Sequence, residues 1–322
     1  MQPNATSRCF DNTKLSGYKN CPRYHFIRQV LGWKRSSMEG APALVFGGAW
    51  HNGQDAIWEH AKKLNPQELA QLAQLKFLEK WEEEGFNPDM GMEELEHLGA
   101  RTPMVAFEMY GHYIDARWKM LQGCEVLAIE QPFAVPLPGL TDFWYVGRLD
   151  KVIEWNGQRL VLEHKTTTAY ATVGNFRTEY VDSWYSDSQE KGYQFGAGLY
   201  FGQMDGVWVD AALVHKKVHN AFKLIPVAHS EPLLVEWIYD AVEWTKRVAA
   251  EEDAFKECGH LKPGLFPKNE GSCFGKYGAC AFIDLCRTVA DPSRLDGPPD
   301  GFEVSPWDPF DVLKLDKIIN KE

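Results

Sequence analysis

The sequence predicts a mixed α/β fold, a mixed central sheet flanked by helices, on three observations. The first third of its 322 residues carries mostly helical periodicity. The period then shortens to that of strands, led by a hairpin signal at Asn156-Gly157. A long helix and a further strand pair follow, so helical additions surround an α/β core.

Residues 20–31 form a short amphipathic segment. Residues 47–63 predict a helix with Trp50, Ile57 and Trp58 as its buried positions, and with His51 at its start. Two more helices are expected over 66–84 and 104–121, separated by a Gly/Pro-marked stretch at 85–103. Residues 125–135 predict a strand ended by Pro136 and Pro138. Strands over 143–155 and 158–166 form the hairpin, and a loop rich in Thr, Ser and Tyr follows. A helix is expected over 188–204, strands over 207–215 and 221–229, and a long helix over 231–257 with Pro232 in its first turn. The organisation expected is one domain over 1–290, with a helical insertion at about 64–122, and a Pro/Asp-rich tail over 291–322.

Composition narrows the function. The chain is 44% hydrophobic and 25% charged, enough for a core that needs no disulfide staples. A net charge of -11 argues against binding nucleic acid by bulk charge. The charge is uneven, however. Residues 1–38 hold seven bases (Arg8, Lys14, Lys19, Arg23, Arg28, Lys34, Arg35) against Asp11, and residues 81–96 hold seven acids and no base. The basic segment suits a polyanion or simply a solvated face. Seven cysteines cannot all pair, no secretory signal opens the chain, and no apolar run is long enough to span a membrane. A reducing, cytoplasmic location is expected, in a bacterium or a phage-infected host cell.

The hairpin places chemistry. A two-residue turn at Asn156-Gly157 pairs Trp155 with Gln158 and sets Asp150 opposite Glu163. Opposite residues share a face with Cβ atoms roughly 4.5–5.5 Å apart. Lys165 points to that same face, with Arg148 as its expected partner, and Leu149, Ile153, Leu160 and Leu162 form the expected apolar face. Two acids so close repel unless a cation lies between them, and a hard divalent ion suits carboxylate oxygens. The lysine beside them is suited to orient water or stabilise charge on a phosphate.

The cysteines raise a second site. Cys273, Cys280 and Cys286 cluster in a glycine-punctuated loop, with six and five residues between them. A fourth ligand would come from Cys21, before Pro22, or from Cys9 or Cys258; Cys124 sits among apolar residues. Thiolates suit zinc or an iron–sulfur cluster, and the wide spacing favours a cluster.

Taken in order, these motifs resemble the iron–sulfur branch of the PD-(D/E)XK nucleases, the RecB/AddB-type exonucleases, with phage-encoded standalone members as the nearest likeness. The resemblance rests on Cys21-Pro22, Gly47 to His51, Gly147 to Asp150, Glu163 to Lys165, Gln189 to Tyr193 and the three later cysteines, and spans about 18–287. Many relatives instead keep two residues between the second and third cysteines. Gln194 is a rival for Gln189.

The resemblance implies a PD-(D/E)XK restriction-endonuclease-like core with N-terminal helical additions and a C-terminal iron–sulfur loop. It implies that His51, Asp150, Glu163 and the carbonyl of His164 bind Mg²⁺ or Mn²⁺, and that Lys165 activates the attacking water. Gln189 and Tyr193 would hold that lysine or the scissile strand. Cys21, Cys273, Cys280 and Cys286 would hold a [4Fe–4S] cluster joining both ends of the domain. The activity implied is metal-dependent exonuclease cleavage of single-stranded DNA or DNA ends, in recombination, repair or end processing. Arg23, Trp33, Lys34, Arg35, Lys216, Lys217 and Lys223 are candidate DNA contacts. Competing readings are a non-catalytic DNA-binding scaffold and a zinc-binding structural protein.

Overall fold

The computed structural model describes residues 2–36, 42–86, 91, 96–172, 175–275 and 278–318. Of the acidic block at 81–96, Asp89, Glu93 and Glu94 lie outside them.

The chain opens with β1 (Arg8–Phe10), α1 (Asn12–Asn20), α2 (Pro22–His25), a π-turn at Phe26–Val30 and β2 (Trp33–Arg35). Three helices follow: α3 (Pro42–His60), α4 (Pro66–Glu83) and α5 (Pro103–Gly123). Then come β3 (Glu125–Pro136), β4 (Phe143–Trp155) and β5 (Gln158–Thr167). The Thr/Ser/Tyr stretch read as a loop holds β6 (Tyr170–Thr172), β7 (Asn175–Phe176) and α6 (Thr178–Ser183). Next are α7 (Ser188–Phe201), β8 (Gly206–Leu213), β9 (Phe222–Val227) and the long α8 (Glu231–Cys258). Short pieces complete the described chain: β10 (Phe274–Gly275), β11 (Gly278–Ala279), α9 (Ile283–Thr288), β12 (Phe302–Val304) and α10 (Pro309–Val312).

Local signals explain most of these boundaries. Asn65 and Glu68 form a reciprocal capping box on α4, and Thr102 caps α5 through the Val105 N–H. Asn156 and Gly157 both take positive φ, 52° and 76°, as the β4–β5 turn requires. One boundary differs from expectation. Helix α3 starts at Pro42, so His51 lies in the middle of the helix and not at its start. Proline is well suited to the first helical turn, where its missing N–H costs no bond.

The described residues hold a six-stranded mixed sheet in the order β1-β4-β5-β8-β9, with β3 also on β4. Helices α3, α4 and α5 cover one face, against Ile153, Leu160 and Leu162. Helices α1, α7 and α8 cover the other, against Phe133, Tyr145, Val152 and Val161. Leu149 packs on this second face, not with Ile153 as expected. Leu149 and Val152 are three apart yet share a face, so the strand's alternation slips at Asp150-Lys151. Beyond the expected tail boundary, β12 pairs with β2, and Leu315 and Ile318 are buried beside Cys9, Trp144 and Val146.

Edge sharing creates the opening in the fold. Strand β3 runs antiparallel along one edge of β4. The other edge is divided: β1 pairs in parallel with Phe143–Tyr145, and β5 pairs with Lys151–Trp155. Between them, among the described residues, no strand pairs with the edge at 146–150.

Candidate active site

The gap in the sheet is the floor of a cleft of about 1630 Å³. His51, Asp150, Glu163, Lys165, Gln189 and Tyr193 all line it. The β4–β5 register is the expected one as far as Lys151–Leu162. There the ladder ends and the strands part, and the Asp150 carboxylate accepts the His164 N–H at 2.8 Å. Arg148 is therefore not the partner of Lys165; its Nε lies 2.7 Å from Glu130.

Each side chain comes from a different element. Helix α3 brings His51 Nδ1 to 3.4 Å from Asp150 Oδ2. Lys165 donates to Glu163 Oε1, which also receives Gln189 Nε2 at 3.2 Å. The same Gln189 amide reaches the Tyr193 hydroxyl at 2.8 Å, as an i, i+4 pair can. Helix α7 holds these two residues because it lies tight against the sheet. A Cβ on Gly196 would stand 2.4 Å from the Phe133 ring, and one on Gly147, across the ring, 2.6 Å from it. Gln194, the rival, is instead bound through its side chain to both backbone groups of His229.

The electrostatics are unbalanced. Burial, with the Asp150 charge beside it, pushes the Glu163 carboxyl well above the usual carboxylate range. Burial acts on Asp150 as well, but His51, Lys165, Lys151 and the His164 N–H outweigh it and hold that carboxyl low. Burial would also discharge Lys165, but Glu163 and Asp150 raise its pKa and keep it an ammonium. Burial lowers the His51 pKa, which favours the neutral, ligating imidazole. Glu163 Oε2 is buried with no hydrogen-bond partner. An unpaired buried carboxylate oxygen costs on the order of 1–3 kcal/mol.

Among the described residues, no group of three or more His, Cys, Asp or Glu side chains stands gathered tightly enough to hold a metal ion. The donor chemistry nevertheless fits a hard cation: two carboxylates, a neutral imidazole and the unpartnered Glu163 Oε2 at the bottom of an open cleft. Cys21 follows α1, Cys273 and Cys280 precede α9, and Cys286 lies within it. Cys21 Sγ accepts the Asn269 N–H at 3.5 Å, and Cys280 N–H donates to the Cys273 carbonyl. Burial raises the Cys280 thiol, and the charges of Cys21 and Cys273 add to it. Cys286 is raised by burial too, with Cys280 and Cys21 among its charged neighbours. None of the four forms a disulfide.

The expected DNA contacts fare differently. Trp33 is 5% exposed and belongs to the core, so it is not available for stacking. Arg23 is buried and donates to the Phe266 and Ala290 carbonyls. Lys34 pairs with Glu303, and Arg35 donates to the Ala281 carbonyl. Lys216, Lys217 and Lys223 are exposed but do not line the cleft. The cleft is lined instead by Arg101, Arg177 and Thr166, Thr167 and Thr168, which the sequence reading missed. It also missed Asp55, which holds the fully buried Lys151 at 2.6 Å. Asp55 is four residues after His51, so helical spacing was a usable signal.

The family model of the PD-(D/E)XK nuclease superfamily matches residues 12–287. A search of curated proteins gives no match. The crystal structure of a presumed exonuclease from Eubacterium rectale is similar over 89% of this chain and 91% of that one, at 15% identity and a TM-score of 0.44. No described helix is long and apolar enough to cross a membrane.

Proposed function

This chain belongs to the PD-(D/E)XK nuclease superfamily, and from that premise we propose that it is a Mg²⁺- or Mn²⁺-dependent exonuclease acting on single-stranded DNA or DNA ends. The observation that carries the reading is the partnerless Glu163 Oε2 beside Asp150 and Lys165 in the cleft. His51, Asp150, Glu163 and the His164 carbonyl would hold the divalent ion, and the chemistry it would supply is charge neutralisation at the phosphate and acidification of water. The Lys165 ammonium orients the attacking water and faces the charge that develops on phosphorus oxygens. Gln189 fixes the free rotation of Glu163, and Tyr193 fixes Gln189. Cys21, Cys273, Cys280 and Cys286 hold a [4Fe–4S] cluster that clamps the two ends of the domain. Repair, recombination or end processing, in a phage or its host, is the setting this activity suits.

The test uses end-labelled linear single strands with Mg²⁺ or Mn²⁺. Nucleotide release that chelation abolishes, and that Lys165→Ala and Asp150→Ala lose, is the expected result. Equal activity of the wild type and both variants removes the site. Anaerobically purified protein should be brown and absorb near 400 nm; a colourless protein with stoichiometric zinc removes the cluster.

A further inference from the structure

Substrate strands must stop somewhere in an exonuclease, and the cleft changes character along its length. On one side of the catalytic cluster it is lined by Arg101, Arg177 and the hydroxyls of Thr166, Thr167 and Thr168. Arg177 Nε donates to the Tyr170 carbonyl, a neutral partner that leaves its charge available to phosphate. The cleft also runs along β4 past Gly147 and Val146 to Tyr145. Tyr145 pairs with Phe10 of the parallel strand β1, so Asp11, Asn12 and Thr13 follow alongside Val146 and Gly147, on the catalytic side of Tyr145. Five strand residues from Asp150 to Tyr145 span roughly 16 Å. Val312 and Leu313 line this same end.

The lining there suits a stop and not a passage. Val312 and Leu313 are apolar, and Leu313 packs beside Cys9 and Trp144, past Tyr145, so a polyanion finds no partner in them by running on. The two apolar residues are held firmly from behind. Asp308 caps their helical turn through the Phe310 N–H, and Val312 and Leu313 donate to the Asp308 and Pro309 carbonyls. Leu315 and Ile318 are buried against Cys9, Ala134, Trp144 and Val146. Yet Val312 itself is 48% exposed, an apolar side chain presented to the cleft without contributing to the core.

We propose that Val312 and Leu313 are the end stop of the cleft: they limit how many terminal nucleotides pass the catalytic cluster and so confine cutting to strand ends. This rests on the exonuclease reading above. The class of substrate follows from it, a single strand with a free terminus whose last few nucleotides fill the stretch between Asp150 and Val312.

The experiment uses the full chain with Mg²⁺, a labelled linear single strand and a covalently closed single-stranded circle. The wild type should release short products and spare the circle. The double variant Val312→Ser/Leu313→Ser should lengthen the products and raise circle cutting about tenfold. Val312→Trp, at a half-exposed position, should shorten them, and it keeps the test in hand if the double variant unfolds. Wild-type product lengths and an intact circle in both folded variants overturn the stop while leaving the exonuclease reading in place. A wild type that cuts circles as fast as linear strands overturns the exonuclease reading, and the stop with it.

Discussion

Two clusters of buried charge lie on opposite faces of β5, and they are built to different rules. On the face toward α5, Asp210 receives the Tyr113 hydroxyl at 2.8 Å and both Nε and Nη2 of Arg117, while Trp58 donates to Tyr113. Both Asp210 oxygens there have donors, and the buried atom left without a partner is a ring nitrogen of His164, which burial keeps neutral. On the face toward α7, Asp150 and Glu163 crowd together, and one carboxylate oxygen has no partner. A saturated network holds a fold; an unsaturated one keeps capacity for something that arrives. That separates a structural ion pair from a reactive centre, even though both are equally buried.

The comparison can be broken most sharply at Glu163. Replacing Glu163 by Gln should cut nuclease turnover about 10³-fold. It should leave thermal stability within about 1 kcal/mol, because relief of the crowding with Asp150 offsets the weaker contact with the Lys165 ammonium. Single-turnover kinetics with thermal melts check both; a variant that is inactive and also less stable shows that Glu163 was part of the structural framework.

Arg117→Met should do the reverse. Leaving Asp210 buried and unpaired should cost about 3 kcal/mol, read as a lower urea midpoint, with turnover within about threefold of the wild type below the melting transition. A large loss of turnover without loss of stability would erase the distinction between the two faces.

A third cluster tests how far saturation reaches. Glu252 of α8 receives Arg8, Lys14 and His25, and so ties β1, α1 and α2 to that helix. Burial would raise its carboxyl, but those three partners prevail and hold it at about 2. The folded pKa is depressed, so its stabilisation is complete above the unfolded value near 4.5 and fades as pH falls toward 2. The amount is on the order of 3 kcal/mol. Denaturation midpoints between pH 5 and 2 should lose that slope in Glu252→Gln; an unchanged slope assigns the acid sensitivity to other carboxylates.

Much of this was legible in the residues. Asn156-Gly157 set the hairpin and its register, and the register set Asp150, Glu163 and Lys165 near one another, because a two-residue turn leaves no freedom in strand pairing. The i, i+4 spacing of Gln189 and Tyr193 fixed their shared face. Other features needed long-range packing. Trp33 and Arg23 read as a basic, aromatic binding segment, but the core and the 266–290 backbone use them. Arg148 followed the wrong partner because the strands separate where the site begins.

The sequence by itself determined the longer helices, the hairpin and the acid–lysine set, since each depends on spacings within a few residues, and the order of its motifs pointed to the family. Tertiary structure alone decided that β1 and β5 share one edge of β4, that the interval between them opens as a cleft, and that residues 302–318 return to pack beside it. Those are choices among distant surfaces, made by which apolar faces bury best together, and no local period records them.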